Sequence, residues 1–506
     1  MKNKKFPAWL KIEQKDRTIF FALTVMYGIY VLPILLANRY YQDDLSRSLY
    51  GVTGWNNDAR PLTERLVIWL CGGYPIGDVF PLPLLIAVPL LAYTITLYAK
   101  RYLPVENHII PALCIGFLVI ANPFLLSNLS YRFDCVTMIL ALCATVLPYV
   151  VPPKKALWKI FLFSLFLCLV TLTTYQPAIG VYISLWFLEV FFMLFSERID
   201  LPRLFVRGIA CVFSVLLYKY VILNHYIYAG NGGWQPDAYR FAWRSEDGFL
   251  SGVTLNLQSF AQYITMALQS IPTPLLVLLS ILMAAGMIFA GMILWNRKKR
   301  RALKVLSLMY LIFLPVLVIF GAIAPLLVLS HSNFSISAHS LLCLCSVGLW
   351  GGIMIAVFYT RLPRLGTLLF LPCMLFGLTL SYSYGNAMTS QKQYEEYLVS
   401  SIAHDVETLN VDGSFDKITI SGRTPLSPQE KRLREKYPLF RYLVPAYPTN
   451  NSYLGGAFLL HYTQESFSFE SLTEQDQNLI DTAEPSLANS VYACYENGDK
   501  IIILFP

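Results

Sequence analysis

Charge is what this sequence has least of. Only 14% of its 506 residues are Asp, Glu, Lys or Arg, against about 25% in a soluble globular chain. Histidine is scarce too, at six residues, and the ten cysteines form no CxxC pair. Most of the cysteines sit inside apolar runs, which argues against a zinc ribbon or a disulfide framework. No GxGxxG, Walker A or HExxH motif occurs, so nothing points to nucleotide-driven transport or zinc proteolysis. There is no internal repeat, which inverted-repeat transporters usually show.

Long apolar runs fill the space that charge leaves. Hydrophobic residues make up 56% of the chain, and the mean hydropathy is +0.52. Continuous runs predict an all-α polytopic membrane protein rather than a barrel. About 11 transmembrane helices are expected, near 19–38, 78–98, 108–124, 134–151, 157–173, 177–195, 206–224, 272–295, 304–323, 337–358 and 366–382. The first reads as a span rather than a cleaved leader, being long and without a small-residue cleavage site. The 32 Tyr, 32 Phe and 9 Trp suit interfacial belts.

The net charge of +8 is not a nucleic-acid stripe, because the basic residues lie in short clusters between apolar runs. Alternate loops hold 22 of them against 7 on the other side, which predicts a cytoplasmic N-terminus. Three segments then face outward: a first loop at about 39–76, a second at about 225–271, and the tail. The chain divides into 1–383 and a polar 384–506. The latter reads as a small C-terminal α+β extracytoplasmic domain, with a capping box at Ser427–Glu430 and a hairpin at Asn497-Gly498.

The first loop opens with Asp43-Asp44, inside YYQDDLSR. Ionisable groups next to hydrocarbon are costly, so a carboxylate pair there is the candidate catalytic base. Adjacent side chains diverge, so one aspartate acts and the other serves structure, pairing with Arg47 or a backbone donor. Asp44 is placed ahead of Asp43 as the base; two solvated interface carboxylates are the plainer alternative. Downstream, ARPLTE heads an amphipathic helix with Leu62, Leu66, Trp69 and Leu70 on one face, and Glu64 and Arg65 off it. A re-entrant connector fits that segment equally well. The YRFD turn supplies Arg132 and Asp134, and TYQP supplies Tyr175 and Gln176. Arg suits phosphate, whereas Tyr and Gln suit sugar hydroxyls. Lys219 must snorkel or face a polar cavity. Trp234, Tyr239, Arg240, Trp243 and Arg244 offer stacking surfaces or interface anchors; His331 and His339 offer a relay or satisfied histidines.

In their order, YYQDDLSR, ARPLTE, YRFD and TYQP resemble the Gtr type II family, the serotype-converting O-antigen glucosyltransferases, and more broadly the GT-C polytopic glycosyltransferases. The resemblance covers roughly residues 17–195. It implies a GT-C-like fold and a hexosyltransferase of the bacterial inner membrane, with an outward-facing active site. The donor would be a hexose, typically glucose, on polyprenyl (undecaprenyl) phosphate, and the acceptor O-antigen or a related lipopolysaccharide or surface polysaccharide. A donor synthase and a flippase would be partners, with no nucleic acid. Asp44 or Asp43 matches the family's acidic base by position, while Arg60, Arg132 and Lys219 would hold the phosphate. No cofactor is expected. The adjacent aspartates leave a divalent cation open, which EDTA sensitivity would reveal. A flippase of lipid-linked sugars and a polysaccharide polymerase or ligase are the rival readings.

Overall fold

The computed structural model describes residues 7–103, 109–152, 155–196, 199–228, 248–297, 301–330, 337–448, 459, 461 and 467–506. Its first half runs α1 (Gln14–Ala37), α2 (Asp44–Tyr50), α3 (Pro61–Leu70), α4 (Leu82–Tyr102), α5 (Ile109–Ile120), α6 (Leu125–Ser130), α7 (Cys135–Val150), α8 (Leu157–Thr174) and α9 (Ile179–Ser196). There follow α10 (Leu201–Leu217), α11 (Phe249–Gln269), α12 (Thr273–Arg297), α13 (Arg301–Leu327), α14 (Cys345–Arg361) and α15 (Pro363–Leu409). Among the described residues, nine helices are long and apolar enough to cross a membrane. The shorter apolar helices α5 and α7 occupy the other two expected positions.

Small residues set how these helices pack. A Cβ at Gly180 of α9 would meet the Ala322 carbonyl of α13, and one at Gly348 of α14 would meet the Leu118 carbonyl of α5. The helix pairs therefore touch backbone to backbone, the usual way of packing where lipid offers no hydrophobic drive. The segment carrying α14 is 78% buried across its apolar window, against 22% for α12. The first is thus the centre of the bundle and the second its rim.

The segment expected as an outer loop, about 225–271, is largely helical where it is described. A π-helix, Tyr218–Tyr228, continues α10. Then α11 runs 21 residues without a charge. Its Asn256 Nδ2 donates to the Leu326, Leu327 and Leu329 carbonyls, closing the end of α13. The aromatic group Trp234, Tyr239, Arg240, Trp243 and Arg244 lies outside the described residues, as does His331.

The composition change near 383 falls within one continuous 47-residue helix, α15, which at 1.5 Å per residue is about 70 Å long. Beyond it come β1 (Lys417–Ser421), α16 (Pro428–Lys436), α17 (Phe440–Leu443), β2 (Ser468–Phe469), α18 (Glu474–Thr482), β3 (Leu487–Ala488), β4 (Ala493–Asn497) and β5 (Lys500–Leu504). The sheet order is β2-β1-β5-β4-β3, with β1 parallel to β2 and β5 and the remaining pairs antiparallel. The β4–β5 hairpin turns at Gly498, φ 64, with Asn497 as its last paired residue. Ser427 caps α16 by accepting from the Glu430 N–H at 3.2 Å. The carboxylate of Glu430, however, bonds Arg434 instead of reaching back to complete a capping box.

The tail has two cores. The sheet packs on the far half of α15 through Val399, Ile402, Val406, Ile418 and Ile501. Residues around α16 and α17 do the opposite: Tyr437, Leu439, Phe440, Leu443 and Val444 enter the core of the helix bundle. Behind them lies a buried ion pair. Arg39 donates to both Glu395 oxygens at 2.7 and 2.8 Å and to the Pro445 carbonyl at 2.7 Å. Both side chains are 1% exposed. Glu395 also accepts from the Tyr447 N–H at 2.7 Å and from Gln391 at 3.0 Å.

Removing one partner of a satisfied buried pair costs about 3–5 kcal/mol. Arg39→Ala should therefore lower the detergent-solubilised melting temperature and expose the tail to limited proteolysis. Wild-type protease resistance in that variant would show that the pair does not hold the tail.

Candidate active site

The chain leaves α1 through Asn38, whose left-handed conformation (φ 43) ends the helix. Three residues later the backbone turns back, and Asp44 starts α2. Asp44 is fully buried. Its Oδ2 accepts from the Tyr41 N–H at 3.2 Å and from the Arg132 N–H at 2.9 Å. Two distant turns are thereby joined on one oxygen. Burial pushes this carboxyl well above its ordinary pKa, the Asp43 and Asp134 charges add to the rise, and the Arg132 N–H opposes it.

Asp43 is placed differently. Its Oδ2 accepts from Arg47 one turn along, through Nε at 3.0 Å and through Nη2. Its side chain remains 24% exposed. The Arg47 guanidinium lies 3.9 Å above the ring of Trp55, and the Trp55 Nε1–H donates to Asp134 at 3.1 Å. Asp134, just ahead of α7, is pushed by burial up to about 6, with Asp43 adding and Arg47 and Arg60 opposing. Asp58 is raised by burial as well, against Arg60 and Arg47.

The second arm of the site is a clamp on residues 58–60. Arg60 Nε donates to Gln176 Oε1 at 3.1 Å, and its guanidinium lies 4.9 Å from the ring of Tyr175. Gln176 Nε2 donates to the Asp58 carbonyl and to the Tyr218 hydroxyl, each at 2.8 Å. Tyr218 donates to the Ala59 carbonyl at 3.1 Å. The π-helix after α10 thus presents Tyr218 to the site, a placement π-turns often serve. Arg132 completes the cationic set. It pairs with Asp78 at 2.8 Å and lies 4.3 Å from the ring of Tyr40.

Asp43, Asp44, Arg60, Arg132, Asp134, Tyr175 and Gln176 are therefore gathered into one linked network. Glu64 turns towards its own loop. Its oxygens hold the 53–56 turn, accepting from Thr53 Oγ1 and from the Gly54 and Asn56 N–H groups. Arg65 is exposed on α3 and stands outside the network. Lys219 has its ammonium 5.8 Å from the exposed ring of Tyr220, and it is the neighbouring Tyr218 that enters the Gln176 network. His339 is half-buried, with Nε2 3.0 Å from Ser337 Oγ. In α3 the buried residues are Thr63, Glu64 and Val67, while Trp69 is 77% exposed. Trp69 thus points outward, as on a helix lying against lipid, while Leu62, Leu66 and Leu70 are half-buried. Trp55, Asp58, Asp78 and Tyr218 were not singled out from sequence as site residues.

Residues 32–355 match the family model described as glucosyl transferase GtrII. The chain belongs to this family. A Salmonella phage P22 protein, described as an uncharacterized 55.3 kDa protein in the gtrB 5′ region, is 26% identical over 515 residues, covering 98% of this chain and all of its own length. No solved structure matches. The GtrII match contains the whole network from Asp43 to Tyr218, whereas α15 and the sheet lie beyond it.

A raised carboxyl pKa in the folded state has a definite sign. The native Asp134 binds its proton more tightly than the unfolded chain does, so its contribution falls as pH rises from its ordinary 3.8 to about 6. Asp134→Asn, which can still accept from Trp55, should flatten the fall in melting temperature over that window. An unchanged slope would remove Asp134 as its source.

Proposed function

We propose that this GtrII-family chain transfers a hexose, glucose by the family's description, from polyprenyl (undecaprenyl) phosphate to O-antigen or a related surface polysaccharide. The reaction takes place on the outer face of the bacterial inner membrane, in a GT-C-like enzyme. The observation carrying this reading is the division of labour within the carboxylate pair. Asp44 spends an oxygen on two backbone N–H groups, whereas Asp43 is part-exposed and oriented by Arg47. Asp43, rather than Asp44, is then the base, a reversal of the order the sequence alone suggests.

In the proposed step, Asp43 takes the proton of an acceptor hydroxyl while that oxygen attacks the anomeric carbon in line. The bond from the anomeric carbon to the phosphate oxygen breaks, and polyprenyl phosphate leaves with the bonding pair. Arg60 and Arg132 stabilise the charge that grows on that phosphate. Arg60 is preorganised for this by Gln176 and the ring of Tyr175. A monophosphate leaving group met by guanidinium groups needs no metal ion, and the chain is proposed to work without one. An outward site has no supply of nucleotide sugar, which favours a lipid-linked donor. A donor synthase and a flippase would supply it. The description of the phage relative, which sets it beside gtrB, supports such a multi-gene system.

Purified protein in nanodiscs should move label from undecaprenyl-phosphate glucose to an O-antigen acceptor. UDP-glucose should give no transfer, and EDTA should leave the rate unchanged. Transfer from UDP-glucose would sink the donor assignment, loss of rate in EDTA would sink the metal-free one, and label carried across a bilayer without transfer would replace the enzyme with a flippase.

A further inference from the structure

A cavity of about 230 Å³ lies beside the network, between the exit of α1, the Arg132 turn and α15. A water molecule in the liquid occupies about 30 Å³, so there is room for a small anion with its hydration or for the head of a larger one. Arg39, Tyr40, Arg132, Lys392, Glu396 and His461 are among the residues that line it. Leaving His461 aside, those charges amount to three cations against one carboxylate. Glu395 and Asp78, which pair with the two guanidiniums, are not part of the lining.

The guanidiniums are incompletely used. Arg39 is 4% and Arg132 7% exposed, yet the Nε of each is buried without a hydrogen-bond partner. A buried donor left unmade costs about 1–3 kcal/mol, more when the group is charged. Those two Nε atoms are shut off from solvent, so what a multi-oxygen acceptor in the cavity would meet is the net positive charge of the lining. Lys392 Nζ stands at the same cavity, donating to the Asn38 carbonyl at 2.9 Å and only 3.9 Å from Glu396. Its side chain is 30% exposed and therefore accessible to a ligand.

We propose that this cavity is a binding site for a phosphate-type anion, gripped jointly by Arg132 from the bundle and by Lys392 from the long helix α15. The site lies partly outside the segment that matches the GtrII family, since Lys392 and Glu396 follow residue 355. Identifying the anion with a substrate's phosphate rests on the transfer reading; the binding itself does not. An occupied site would tie α15, which carries the sheet, to the turn that Asp44 holds. Ligand and tail would then be linked through one helix.

The test uses the full chain in phosphatidylcholine nanodiscs. Its melting temperature is followed as inorganic phosphate replaces chloride at constant ionic strength. Phosphate should raise the midpoint in a saturable way. Lys392→Gln should weaken the apparent Kd about tenfold, the loss of one charge-assisted hydrogen bond. Glu396→Gln, which removes the carboxylate found among the described lining residues, should tighten it, a gain that a misfolded variant would not give. A second arm omits phosphate and adds phosphatidylglycerol to the nanodisc. Stabilisation there that Lys392→Gln abolishes would make a lipid headgroup the source, whereas a response to free phosphate alone would point to a non-bilayer phosphate. Equal midpoints in phosphate and chloride, or equal shifts in wild type and both variants, would overturn the site. Loss of sugar transfer with phosphate binding intact would fail the transfer reading and leave this one standing.

Discussion

The site depends on one oxygen. Asp44 Oδ2 accepts backbone N–H groups from Tyr41 and from Arg132, 88 residues further along. A carboxylate is suited to this, because charge-assisted bonds to backbone donors are short and strong. Full burial raises the cost of its charge, and that cost is met by the registration it enforces. With the two turns joined, Arg47, held by Asp43, comes over Trp55, Trp55 reaches Asp134, and Arg132 turns its side chain towards Asp78 and Tyr40. That oxygen fixes the start of α2 against the α6–α7 turn, and the Trp55–Asp134 and Arg132–Asp78 contacts hold the rest of the loop to it.

A second constraint ties this end of the bundle to the tail. Arg39, five residues before Asp44, is held by Glu395 on α15 and by the Pro445 carbonyl. Tyr41 donates to the Leu443 carbonyl, and Gln42 N–H to the Tyr447 hydroxyl. The residues flanking the carboxylate pair therefore report on the tail's position. The sheet itself stays outside, with its own core on the far half of α15.

Much of the fold was legible because hydropathy is a sum over many residues. Each expected apolar segment contains a helix, and α5 and α7 differ only in being short. What was not legible rests on contacts. The uncharged α11 mixes Asn256, Gln258 and Gln262 among its apolar residues and falls short of the hydropathy of a span, yet Asn256 fixes it to the end of α13. Gly385 lets α15 pack closely on Pro33 of α1, where a Cβ would collide. In the site, Asp43 with Arg47 is an i,i+4 pair and visible from spacing. The partners of Asp44, Trp55 and Gln176 lie 88, 79 and 116 residues away from them. No local pattern announces such bonds, so the sequence alone could not separate the surroundings of Asp43 from those of Asp44.

The most direct measurement is transfer rate per folded molecule in Asp43→Asn and Asp44→Ala, each with its melting temperature. The account predicts that Asp43→Asn melts like wild type and loses about 10²–10⁴-fold in rate, the range for a general base. It predicts that Asp44→Ala loses stability, since two buried N–H groups are left unmade at about 1–3 kcal/mol each. An active Asp43→Asn enzyme beside a fully stable but inactive Asp44→Ala one would contradict it and return the base to Asp44.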